Sequence, residues 1–147
     1  MTNAYPRATV NWRPIHAVLV PFPVVCFIGA LITDVVYWRS TSFIWETFSV
    51  WLLTVGLIVA GLAVLAALVD LVAGHRIGNR RSAWIYALGN ALVIALSLIN
   101  VFVHSRDGYT AVVPTGIILS GIVVLIMMIM GWMGRETVYR RRMGVTD

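Results

Sequence analysis

Groups able to exchange protons or bind a ligand are few in this chain, and most of them interrupt apolar runs. His16 opens the stretch HAVLVPFPVVCFIGALITD and Asp34 closes it, about five helical turns later, with Pro21 and Pro23 near the histidine end. Asp70 closes a second run, and Asn90, Ser97, Asn100 and His104 punctuate a third. Ionisable groups in hydrocarbon are costly unless partnered, so they face a bundle interior, where they relay protons, ligate a cofactor or tie helices together. Each proline lacks an N–H and frees a carbonyl one turn back, which hydrocarbon cannot satisfy.

The elements that must position these groups follow from composition. Of the 147 residues 60 % are hydrophobic and 12 % charged, with a mean hydropathy of +0.89, which excludes an ordinary soluble domain. Four runs, approximately 15–38, 47–74, 82–104 and 112–133, are each long enough for a hydrocarbon core of ~30 Å. The expected fold is all-α: a single transmembrane domain forming an integral membrane four-helix bundle. All basic residues are arginine; Arg7, Arg13, Arg76, Arg80, Arg81, Arg135, Arg140, Arg141 and Arg142 fall on one side of such a topology, and only Arg39 and Arg106 on the other. The positive-inside rule then predicts that both termini are cytoplasmic. Net charge +5 reflects arginines that flank apolar spans, where anionic headgroups lie, so it points to the lipid bilayer and not to nucleic acid. Tyr37, Trp38, Phe43, Trp45 and Trp51 form an aromatic belt at the first outer loop, and Asp107 and Gly108 pivot the second.

Alternating the span directions sorts the polar residues by depth. An inner polar layer holds His16, Asp70, His75, Tyr86, Asn90 and Glu136 with the carbonyls freed by Pro21 and Pro23; an outer layer holds Asp34, Asn100, His104 and Thr115. On a continuous helix His16 and Asp34 lie about 27 Å apart, too far to share a site. Asp34 is therefore expected to tie the outer ends of spans one and three. The apolar middle argues against a hydrophilic pore. Two readings of the inner layer stand: a site where His16, Asp70 and Asn90 meet, or a structural network with Asp70 accepting from His16 or an arginine and Asn90 satisfying the freed carbonyls. In the second span Gly56, Ala60, Gly61, Ala63, Ala66 and Ala67 are expected to pack inward, so that Gly61→Leu lowers folded yield or changes oligomer size.

Cofactor chemistry has narrow support. His16 and His75 share a side and are the candidates for axial ligands of haem b, but His75 sits in an arginine-rich loop and no cofactor is predicted. Met127, Met128, Met130 and Met133 invite copper, yet meet no second soft-ligand cluster and read as packing. Cys26 is the only cysteine, which excludes an internal disulfide and a CxxC site. No nucleophilic triad, HExxH, P-loop or dinucleotide turn occurs, and the chain is not expected to be an enzyme.

Four stretches together resemble the bacterial DUF2231 membrane proteins: HAVLVPFPVVCFIGALITD, AALVDLVAG, GNALVIALSLINVFVHSR and GWMGRETVYRRRMGV. Gly131, Gly134, Val138 and Tyr139 match the family's G-x-x-G-x-x-x-V-Y ending, and Gly144 and Val145 its Gly-Val tail. Many members have His-Pro where this chain has His16-Ala17, and a histidine where it has Tyr86, four residues before Asn90. If those two histidines hold a metal or haem in relatives, this chain lacks one partner. The resemblance implies a four-helix module of the bacterial inner membrane, joined in some relatives to Rieske or cytochrome c domains; it supplies no activity. The leading expectation is a non-catalytic membrane module that anchors or assembles a redox or envelope partner, with homo-oligomerisation plausible for so thin a core. The alternatives are a haem b- or quinone-binding electron-transfer subunit and a small-solute channel or transporter.

Overall fold

The computed structural model describes residues 15–73, 80–106 and 112–142, with side chains over 16–73, 83–106 and 112–135. These residues form α1 (Ile15–Leu19), α2 (Pro21–Ser40), α3 (Phe43–Val72), α4 (Arg80–His104) and α5 (Ile117–Arg142), the last preceded by an irregular turn, Val112–Gly116. Four segments of 22 to 30 residues are long and apolar enough to cross a membrane; α1 and α2 together make the first. His75, Arg76, Asp107 and Gly108 lie outside the described residues, as do the N-terminal tail and the side chain of Glu136.

The prolines interrupt hydrogen bonding more than direction. Val20 keeps right-handed helical dihedrals (φ −54°, ψ −39°) and donates its N–H to the His16 carbonyl at 3.1 Å. Pro21 and Pro23 then occupy the first turn of α2, where an N–H has no intrahelical acceptor in any case. The first span thus continues as a second helix on nearly the same course, and α1 packs against α3.

Neighbouring spans pack in chain order, and the ring closes through α2 against α5. The seams repeat every three or four residues. Pro23, Phe27, Ala30, Asp34 and Tyr37 are buried on α2, and Glu46, Ser49, Leu53, Gly56, Ala60, Ala63 and Asp70 on α3. A mean repeat of 3.5 is the signature of knobs-into-holes packing in left-handed bundles. Gly56 is needed there: a Cβ would come within 2.7 Å of Phe27 Cε1. Gly61 lies off the seam, exposed, with nothing within 4 Å of an added Cβ, so the expected inward face loses it. Ala60 and Ala63 stay buried, and Ala66 and Ala67 are half-buried.

Polarity is distributed inside out. Asp34, Glu46, Asp70, Ser97, Asn100, His104 and Ser120 are buried, while Val25, Ile32, Trp51, Ile58, Leu88, Phe102 and Trp132 are exposed. Water would not tolerate that surface, whereas hydrocarbon is its natural solvent. At one margin the Arg39 guanidinium lies 5.9 Å from the Trp38 ring centre, an interfacial cation–π pair.

Candidate functional site

Side chains on the seams converge at both ends of the bundle, and an apolar plug separates them. Phe27, Ala30, Leu53, Val93 and Val123 form that plug.

At one end His16 Nδ1 lies 2.8 Å from Asp70 Oδ2, a pair linking α1 to α3 across 54 residues of sequence. Asp70 sits at a continuation of the α3 seam, one heptad beyond Ala63, and α1 reaches it because the first span keeps its course through the prolines. Beside the pair lies a partly open cavity of about 440 Å³, walled by all four spans. Phe27, Ala60, Ala63, Ala67, Val93 and Met127 line its apolar part; His16, Tyr86 and Asn90 supply its polar groups. Small alanines on α3 opposite large residues elsewhere leave this space. The Tyr86 hydroxyl is buried against Gly134 and has no hydrogen-bond partner among the described residues. Asn90 faces the cavity and is exposed, and among the described residues the pair is His16 with Asp70. Of the expected triad the fold brings His16 and Asp70 into contact, with Asn90 at the same cavity. Pro23 is buried on its wall and Pro21 is exposed.

The opposite end holds a denser network. Asp34 Oδ1 meets His104 Nε2 at 2.9 Å, and both side chains are 0 % exposed. Asp34 Oδ2 accepts from the Ser120 hydroxyl at 2.6 Å, which in turn accepts from Asn100 Nδ2 at 2.8 Å. Asp34 therefore ties spans one and three, as its depth implied, and span four as well. Thr33 and Ser49 share a hydroxyl–hydroxyl bond of 2.6 Å. Glu46 bonds the Tyr37 hydroxyl and lies within electrostatic reach of His104. Thr115 is exposed and takes no part.

Sequence reasoning misses Glu46, because its second span begins at Thr47 after an aromatic stretch that looks like a loop, and it misses Ser120, Thr33 and Ser49 as members of this network. Helix α3 starts four residues earlier, at Phe43. The signal was present: stepping back one heptad from Leu53 lands on position 46.

Cofactor ligation finds little here. His75 lies outside the described residues, Met127 and Met130 line the cavity wall, and Met128 faces outward. Among the described residues no three His, Cys, Asp or Glu side chains are placed to hold a metal.

The histidine-led first span, the Asp70 end of the second and the Asn90–His104 stretch of the third are thus the stretches that build both ends. The family of predicted membrane proteins designated DUF2231 matches residues 12–147. The chain belongs to the DUF2231 family. No curated protein and no solved structure matches it. The DUF2231 match covers all four spans, so the polar residues at both ends fall within it.

Proposed function

We propose that this DUF2231 chain is a non-catalytic module of the bacterial inner membrane that holds a lipid-soluble quinone for a redox partner. The cavity beside His16 carries the reading: about 440 Å³, apolar along most of its wall, with a few polar groups. Pockets of roughly 300–1,000 Å³ with that division suit an amphipathic small molecule. A quinone head offers carbonyl acceptors to the Asn90 amide and the Tyr86 hydroxyl. Leaving a buried hydroxyl unpaired costs about 1–3 kcal/mol, which a ligand acceptor recovers. His16 is held by Asp70 through Nδ1, so Nε2 remains for proton exchange with the head group. The isoprenoid tail stays in hydrocarbon.

Haem b suits this cavity less well. It needs two ligands facing each other across the macrocycle, and among the described residues His16 is the one imidazole on the wall. The plug of Phe27, Leu53, Val93 and Val123 weighs against a solute channel.

The test is ligand-dependent stability in nanodiscs. A short-chain quinone at a hundred times its dissociation constant should stabilise the fold by about 2.7 kcal/mol. Tyr86→Phe and His16→Gln should weaken that effect. A thermal midpoint unmoved by quinone, together with purified protein carrying no more quinone than bulk lipid, would reject the reading.

A further inference from the structure

The network at the Asp34 end requires one proton more than an ionised aspartate and a neutral histidine carry. His104 Nδ1 lies 2.9 Å from the Asn100 carbonyl oxygen, which can only accept, so Nδ1 bears a hydrogen. Nε2 of the same ring faces Asp34 Oδ1 at 2.9 Å. An unprotonated ring nitrogen and a carboxylate oxygen both accept, and two acceptors do not settle at hydrogen-bond distance without a hydrogen between them. The other carboxylate oxygen is engaged by Ser120, whose hydroxyl is turned toward it by the donation from Asn100.

We propose that Asp34 and His104 form a buried proton-binding site, with one exchangeable proton held between Oδ1 and Nε2 that locks this end of the bundle. With the proton, the pair is neutral overall, either as imidazolium and carboxylate or as imidazole and carboxylic acid. Without it, a negative charge is stranded in a site with no exposure, beside the Glu46 carboxyl. The titratable group within electrostatic reach of the pair is Glu46 on α3, which in turn bonds the Tyr37 hydroxyl of α2. Span four contributes Ser120 and Gly116, neither of which titrates at neutral pH. The exposed Arg39 and Arg106 make no ion pair with Asp34 among the described residues, so the proton is its counter-charge. The space is built for the ring: a Cβ at Gly116 would lie 2.7 Å from His104 Cε1. This site is separate from the quinone cavity and stands without it.

The chain has three histidines, so His16→Gln with His75→Gln leaves His104 alone for nitrogen-15 NMR of the folded protein in detergent. The expected ring is protonated at Nδ1. It is also protonated at Nε2, or else the infrared spectrum of protein labelled at its aspartate carboxyl carbons shows a carboxylic-acid band that Asp34→Asn abolishes. A neutral ring with a single proton and no carboxylic-acid band from any aspartate would overturn the proposal. Asp34→Asn is informative because its amide donates to Nε2 and accepts from Ser120, which completes the network without the shared proton. As pH rises above about 6.5, where His104 of the unfolded chain loses its proton, the wild type should lose folded-to-unfolded ratio by about tenfold per pH unit for as long as the folded pair keeps its proton, and level off once that proton leaves, while Asp34→Asn stays flat over the same interval. Identical profiles would refute the locking role. The NMR and labelled-aspartate spectra retain Asp34, so they decide the matter even where Asp34→Asn does not fold.

Discussion

Gly56 and Gly61 lie five residues apart on α3, yet a methyl group added at each meets opposite surroundings. At Gly56 it runs into the Phe27 ring and approaches Cys26 Cβ at 3.0 Å, contacts within the closest helix pair, α2 against α3. Gly56→Ala is expected to destabilise by about 1–3 kcal/mol, the usual cost of overpacking. At Gly61 nothing intervenes, so Gly61→Ala should be neutral or gain up to about 1 kcal/mol of helix propensity. Unfolding of both variants in detergent checks the pair; equal effects would show that the seam assignment is wrong. The expectation that Gly61→Leu lowers folded yield is withdrawn for the protomer, because an exposed position has no facing helix to displace. Both residues look alike as small residues in an apolar run, and their difference in direction of about 140° becomes visible only against the buried 3.5-residue seam.

Between α2 and α3 the chain reverses through two residues, and Thr41 does so in the left-handed region (φ 56°) while its N–H caps the Tyr37 carbonyl at 2.7 Å. A β-branched residue is strained there, whereas asparagine adopts that conformation readily. Thr41→Asn should raise stability by about 1 kcal/mol, measured as the thermal midpoint against wild type. The tightness of this turn also explains the early start of α3: with only Thr41 and Ser42 between helices, Phe43 to Glu46 become helical and Glu46 enters the core. Sequence placed the spans well where hydropathy changes sharply. It placed the second start late because aromatic residues suit a helix and an interfacial loop equally.

At the scale of the molecule, the exposed apolar belt and buried polar seams agree with four membrane spans. Orientation rests on arginine placement, nine on one side and two on the other. In a Cys26→Ala background, cysteine at position 41 is expected to react with an impermeant maleimide added outside intact cells. Cysteine at position 79, between the second and third spans, should react only after permeabilisation. The reverse pattern would place both termini outside and put the cavity beside His16 in the other leaflet.

Hydropathy and charge placement by themselves determined that this chain is a four-span membrane protein, because lipid demands long apolar helices whatever their partners. Polar residues within those spans also announced that the interior, and not the lipid face, would hold them. Which of them meet was decided by tertiary structure. His16 finds Asp70 across 54 residues, and Asp34 finds His104 across 70 and Ser120 across 86. Periodicity fixes which face of a helix a residue occupies, but its partner depends on the rotation and axial stagger of another helix. Those are set by side-chain packing along the seams, such as Gly56 admitting Phe27 and Gly116 admitting His104. The cavity beside His16 has the same origin: it is the volume that alanines on α3 leave unfilled once the helices have settled.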